Sequence, residues 1–237
     1  MAALQDFWTY QDDFFGNGAS ISTSAVYGSN WVVADTSSSG TPTYVIGTDG
    51  GAASQAPGIA KLDFDSQGEA QVVILSHGGI EQFDVTDGLI YEARVKMNQA
   101  SLTSGTDFSF GVCAGQNSTW DSTTVHASFR LLGATSTTAV VTESDDGTTD
   151  KDDIATGQTL INVWKYFKID MTDLTNVKFY MTDSNSKLIR VSRATTFDMS
   201  AYTSCVQPVF QLQKAASGSQ TDGVSIDYVR ITGRRKT

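Results

Sequence analysis

WKYFKIDMTDLTNVKFYMTDSNSKLIRVSRATTFDMSAYTSCVQPVFQLQK, residues 164–214, decides the fold class. Val177, Phe179 and Met181 alternate with Lys178, Tyr180 and Thr182. Asp183-Ser184-Asn185-Ser186 interrupts the alternation, and Leu188-Ile189-Arg190-Val191 resumes it. A period of two, bounded by Asp, Asn and Ser clusters, marks antiparallel strands joined by tight turns. The stretch is spaced for packing and carries no evident chemistry.

The same pattern extends in both directions. Gly88–Asn98 sets Leu89, Tyr91, Ala93, Val95 and Met97 on one face, against Ile90, Glu92, Arg94 and Lys96 on the other. Asp107–Cys113 alternates through Phe108, Phe110 and Val112, and Gln71–Leu75 is a nearly continuous apolar strand. Val125–Leu132, Ala139–Glu143 and Gly223–Gly233 complete the set, with Ser144–Asp153 expected as a solvated acidic turn. About a dozen strands without a dividing linker point to one sandwich or barrel rather than a βαβ layout. Helix formers are scarce, with Glu only at 69, 81, 92 and 143. The expected inward set is Phe14, Tyr91, Val95, Phe108, Phe110, Phe167, Ile169, Phe179, Phe210 and Ile226.

The net charge of -10 over 237 residues speaks against nucleic acid as a partner, since phosphate needs a basic face. No apolar run reaches the ~20 residues that span a bilayer, so no membrane is expected. Met1–Asp6 lacks the basic and apolar regions of a secretory leader. Synthesis in a reducing compartment then leaves Cys113 and Cys205 as thiols. Three segments follow: an N-terminal arm over 1–11, a sandwich over 12–233 and a basic tail over 234–237. The arm reads either as a short amphipathic helix or as an extended lead-in to the first strand.

Asp12-Asp13-Phe14, FDVTDGLIYEARVKM, WKYFKIDMTDLTNVKFYMTD, VQPVFQLQK and the closing IDYVRI together resemble the concanavalin-like (laminin-G-like) jelly-roll domains of tailed-bacteriophage virion proteins. The resemblance covers residues 12–233 and rests on structural motifs. It implies an all-β jelly-roll sandwich of two antiparallel sheets, with the Phe14 strand beside the Ile226–Arg230 strand. It further implies a non-enzymatic virion protein, assembled in the host cytoplasm and decorating a capsid. The expected partners are a major capsid protein and further copies of the chain as a trimer, docked through Leu4, Phe7, Trp8 and Tyr10. The alternative reading is a carbohydrate-binding module.

Jelly rolls of this kind also host glycan hydrolases, which need two carboxyl groups ~5–5.5 Å apart in the retaining case. The Glu-x-Asp-x-x-Glu spacing of laminarinase-type enzymes is absent, and Glu92 has Ile90 and Arg94 at its i±2 positions. No catalytic residue is therefore assigned. His77 lies in a Gly-rich turn, and His126 in a strand has the setting of a satisfied structural histidine. For a glycan, Trp120 in the polar loop with Asn117 and Asp121 is the leading contact, and Trp31 the next. No cofactor or metal site is assigned. The aspartates between 145 and 153 offer oxygen ligands to calcium but lack the EF-hand spacing, and an ordinary hairpin turn accounts for them equally.

Overall fold

The computed structural model describes residues 6–14, 31–37, 39–46, 58–216 and 220–235. Leu4 lies outside them. In chain order the described strands are β1 (Phe7–Asp12), β2 (Val32–Asp35), β3 (Thr43–Ile46), β4 (Ala60–Asp63), β5 (Gln71–Ser76), β6 (Phe83–Asp84), β7 (Ile90–Met97) and β8 (Thr106–Cys113). They continue with β9 (Val125–Leu132), β10 (Ala139–Asp146), β11 (Asp150–Thr159), β12 (Lys165–Asp170), β13 (Lys178–Thr182), β14 (Leu188–Arg190), β15 (Cys205–Lys214) and β16 (Gly223–Arg234). Helix among the described residues is limited to single 3₁₀ turns, such as Trp120–Ser122.

Two antiparallel sheets stack into a jelly-roll sandwich. The first runs β14-β13-β12-β7-β16-β4-β3, and the second β11-β10-β9-β8-β15-β5-β2. The long strands β16 and β15 each carry two short partners on one edge. β16 takes β4 along Gly223–Ile226 and β1 along Val229–Arg234. β15 takes β5 along Val209–Lys214 and β6 at Cys205–Val206.

Alternation places one side of each sheet inward, and all ten residues of the expected inward set are buried. Phe110 sits at the centre, stacked on Phe108 at 4.9 Å and edge-on to Phe167 at 4.8 Å. Phe129 joins the two sheets edge-on to Phe167 and Phe179. Such ring pairs each contribute about 0.5–1.5 kcal/mol beyond their area burial.

The first and last strands pair, as the resemblance implied, but the first strand does not run through Phe14, which lies beyond it with φ 52°, and Ile226 pairs with Ala60 of β4 instead. Phe7–Asp12, expected as an arm ahead of the first strand, is itself β1, in register from Phe7 opposite Arg234 to Asp12 opposite Val229. Its aromatics explain why. Trp8 stacks on Phe83 at 5.7 Å and donates from Nε1 to Asp87 at 3.2 Å, so sheet pairing and apolar burial act together. Tyr10 packs against Phe83 and His77, while Phe7 stays 59% exposed. The basic tail is likewise tied in, with Arg234 in β16 and the Arg235 N–H donating to the Asp6 carbonyl.

The acidic segment also differs from expectation. Instead of one long turn over Ser144–Asp153, β10 runs to Asp146 and β11 begins at Asp150. The turn is only Gly147–Thr149, capped by Asp146, whose carboxylate accepts from the N–H groups of Thr148 and Thr149. Aspartate is poor in strands on average, yet β11 is an edge strand, where charge is tolerated and discourages further pairing.

Candidate functional site

The outward side of the second sheet is where polar chemistry gathers. On β9, Val125, Ala127, Phe129 and Leu131 join the core, so His126, Ser128, Arg130 and Leu132 point outward. On β10, Val140 belongs to the core, and Glu143 and Asp145 face the same way as His126 and Arg130. A loop over 114–123 folds across part of this outward face. Gln207 donates to the Gly115 carbonyl and Gln211 to the Ser118 carbonyl, while Glu81 accepts from the Gly115 N–H. Trp120 is the plug of that loop, 1% exposed and packed on Ile74, Cys113 and Val209.

Between the loop and the β9–β11 edge lies a cavity of about 240 Å³. Its floor is Trp120, His126, Arg130 and Glu143, all buried. Its rim is Asp121, Asp145, Asp150, Asp152 and Asp153. A bulge builds the rim: Thr142 pairs with Ile154 and Ser144 with Lys151, so Asp152 and Asp153 both stand opposite Glu143. Asp153 takes the left-handed conformation, φ 51°, that lets two consecutive side chains reach one side of the sheet. Asp is among the few non-glycine residues that accept this conformation readily.

The floor groups hold one another. Trp120 Nε1 donates to Glu143 Oε2 at 3.0 Å, and Arg130 donates to Glu143 Oε1 at 3.1 Å and to Asp121. Burial pushes the Glu143 carboxyl up to about 8, against the pull of Arg130 and with Asp153 adding to the rise. Burial opposes the Arg130 charge, but Glu143 and Asp121 more than restore it. His126 Nδ1 lies 2.8 Å from the Thr123 carbonyl and must donate to it, because a carbonyl only accepts. Its Nε2 is therefore a bare acceptor, 3.7 Å from Glu143 Oε2, with no hydrogen-bond partner among the described residues. Burial lowers the His126 pKa and keeps the ring neutral. On the rim, burial and then the charges of Asp150 and Asp153 raise the Asp152 pKa.

The four expected glycan contacts divide. Trp120 and Asp121 line the cavity, although Trp120 presents no open ring face. Asn117 is spent on the loop, accepting from the Thr119 N–H at 3.0 Å. Trp31 is a core residue rather than an exposed platform. It is 4% exposed, donates from Nε1 to Asp12 at 2.8 Å and packs on Phe14, His77 and Phe210. It belongs to a different apolar cluster from Trp120.

The expected docking aromatics Trp8 and Tyr10 line a second, more open hollow of about 280 Å³ with Gln82, Phe83, Asp84 and Asp87. Cys113 and Cys205 are thiols rather than a disulfide, and Cys113 Sγ donates to the Gly115 carbonyl. Among the described residues no three His, Cys, Asp or Glu side chains are arranged to hold a metal ion. Glu143 and Arg130 were not singled out in the sequence, and His126 was read there as a satisfied structural histidine, whereas its Nε2 has no hydrogen-bond partner among the described residues. The available signal was Glu143-x-Asp145 continuing the Ala139–Glu143 alternation, which places two carboxyl groups on one strand face.

No family model matches the chain, and no curated protein matches it by sequence. Solved structures do match. Peanut lectin aligns over 98% of this chain and 100% of its own, with a TM-score of 0.55 at 9% identity. The potassium-bound carbohydrate recognition domain of Emp46p covers 92% of this chain and 97% of its own, with a TM-score of 0.54 at 9% identity. A β-1,3-glucanase from Mycobacterium marinum covers 94% and 97%, with a TM-score of 0.53 at 17% identity. None of these is a virion protein. At such identities the likeness carries the architecture alone, and the chain has the concanavalin-like jelly-roll fold.

Proposed function

We propose that this domain binds carbohydrate, and that the cavity between the Trp120 loop and strands β9–β11 receives one sugar residue. The observation behind the proposal is a built polar floor. His126 Nε2 and Arg130 Nε are buried polar atoms without a partner among the described residues, and both residues line the cavity. A buried polar group left unpaired costs about 1–3 kcal/mol, and in a cavity wall a ligand hydroxyl is able to supply the missing bond. A sugar offers hydroxyls that both donate and accept, matching the bare imidazole nitrogen, the guanidinium and the carboxylate rim. At about 240 Å³ the cavity is smaller than the ~300–1,000 Å³ of drug-sized ligand sites, which suits one ring rather than a long chain. The carbohydrate recognition domain and the lectin among the structural neighbours support this reading. Calorimetric titration against a panel of mono- and disaccharides tests it. Binding lost in Glu143→Gln and Trp120→Phe variants that stay folded supports the proposal. Binding unaffected by both contradicts it.

The domain acts without cleaving its ligand in this reading. One observation favours the opposite: Glu143 and Asp145 share a cavity, and Glu143 is held up to about 8, where a general acid works. Assay of reducing ends released from β-glucans, alginate and agar decides. No release is expected, and release abolished by Glu143→Gln would establish a hydrolase instead.

The virion setting, with trimeric docking on a capsid, is a separate proposal supported by the sequence resemblance only. Trp8 and Tyr10 pack within their own domain, which leaves Phe7 as the exposed apolar side chain of that segment. A mass-spectrometric inventory of purified virions tests it; absence of the chain would end it.

A further inference from the structure

The cavity is built unevenly in charge. Among the described residues five aspartates line it beside the raised Glu143 carboxyl, against one guanidinium and one imidazole. Arg130 is already answered by Asp121 and Glu143. Asp150, Asp152 and Asp153 stand together on the rim, and the bulge turns two of them to one side. The described residues place no Lys or Arg other than Arg130 in the lining. Beneath the rim, His126 is 4% exposed, and its buried Nε2 has no hydrogen-bond partner among the described residues. Carboxylates and an unprotonated imidazole nitrogen are all acceptors, so this side of the cavity asks for a donor that carries positive charge.

We infer that the sugar taken by this cavity bears a free amino group, with its ammonium seated among Asp152, Asp153 and His126 Nε2. This rests on the carbohydrate-binding reading and deepens it. An ammonium has three N–H donors and no acceptor, which matches two carboxylates and one imidazole nitrogen. It also relieves the repulsion among the clustered aspartates. The same charge excludes uronic acids and sulfated sugars, which would bring another anion against the rim. N-acetylation removes the positive charge and adds bulk, so the acetylated sugar is disfavoured.

The test is titration of the full chain with methyl glucosaminide, its N-acetyl form and methyl glucoside at fixed ionic strength. Single residues are used because a polymeric cation would adhere to any chain of net charge -10. The amino sugar is expected to bind at least about tenfold tighter than either neutral sugar, an advantage that shrinks as salt rises. Asp152→Asn/Asp153→Asn should remove that advantage. Asp183→Asn/Asp198→Asn, on exposed turns elsewhere, should keep it. Should the rim double variant fail to fold, Asp150→Asn carries the same test with a smaller expected loss. Neutral sugars binding as well as the amino sugar overturns the inference and leaves carbohydrate binding standing. No binding by any sugar in this wider panel overturns both. Calcium that binds with the rim aspartates and displaces the amine makes this a metal site and overturns the inference.

Discussion

The molecule contains the same construction twice, once closed and once open. In each, an indole lies edge-on to an imidazole, Trp31 to His77 at 4.8 Å and Trp120 to His126 at 5.2 Å. In each, the indole N–H donates to a carboxylate, Asp12 or Glu143. The difference lies in the second imidazole nitrogen. His77 engages Gln82 at Nδ1 and Tyr10 at Nε2, and burial pushes its pKa down to about 4. His126 spends Nδ1 on Thr123 and leaves Nε2 buried in the cavity wall, without a hydrogen-bond partner among the described residues. The first pair completes the core beside β1. The second lines the cavity between the Trp120 loop and β9–β11. Residue type does not separate a structural aromatic–histidine pair from a binding one; the accounting of hydrogen bonds does.

Substitution of the two tryptophans should expose that difference most strongly. Trp31→Ala should cost about 3–5 kcal/mol, because it empties a site between Phe14, His77 and Phe210. Trp120→Ala should cost about 3 kcal/mol, the low end of that range, since its apolar cluster is small. Chemical denaturation measures both, and only Trp120→Ala should also abolish sugar binding. Equal loss of binding in both would break the contrast.

The histidines come next. His77→Ala should cost about 2–4 kcal/mol, from lost packing and two lost hydrogen bonds. His126→Ala should cost about 1–2 kcal/mol while removing ligand binding. A larger loss of stability at His126 would mean that it, too, is structural.

Their surroundings should also titrate in opposite directions. Glu143 is raised from 4.5 to about 8, so the native state holds an extra proton and stability falls as pH rises through that window. His77 is lowered from 6.5 to about 4, so its contribution is lost as pH falls through that range. Between pH 4.5 and 6.5 the two oppose each other. Above 6.5 Glu143 acts alone, and a decline of about 2 kcal/mol by pH 8 is expected. Thermal melts across pH measure it, and Glu143→Gln should flatten the decline. A wild-type curve that rises from 6.5 to 8 would contradict the raised carboxyl.

The smallest effect belongs to the edge. Phe7→Ala should change stability by no more than about 0.5 kcal/mol, because the side chain stands in solvent. A larger loss would place Phe7 against a surface of its own or of another chain.

The fold was legible from alternation because strand faces are a local property. Tyr91 and Phe179 announce their side of the sheet through their neighbours at i±2. The cavity was not legible, for three physical reasons. Trp120 sits in a polar loop, and the residues that bury it, Ile74, Cys113 and Val209, come from three other strands. Asp-rich sequence argues for a turn, so β11 was read as solvent-facing turn over its first residues. The bulge at Asp152 and Asp153 breaks the period of two, and no pattern in one sequence foretells on which face both carboxylates will stand. The arm was misplaced for a related reason: β1 is fixed by β16 and Phe83, partners far away in the chain.

The chain has two histidines, so their imidazole nitrogens can be followed separately by nitrogen-15 NMR. In the free protein His126 should show one protonated nitrogen and one bare one. Addition of the methyl glycosides that bind should shift the His126 Nε2 resonance toward a hydrogen-bonded value and leave His77 unmoved. A saturating ligand that shifts neither ring, or shifts His77 instead, would contradict the assignment of the outward cavity as the binding site.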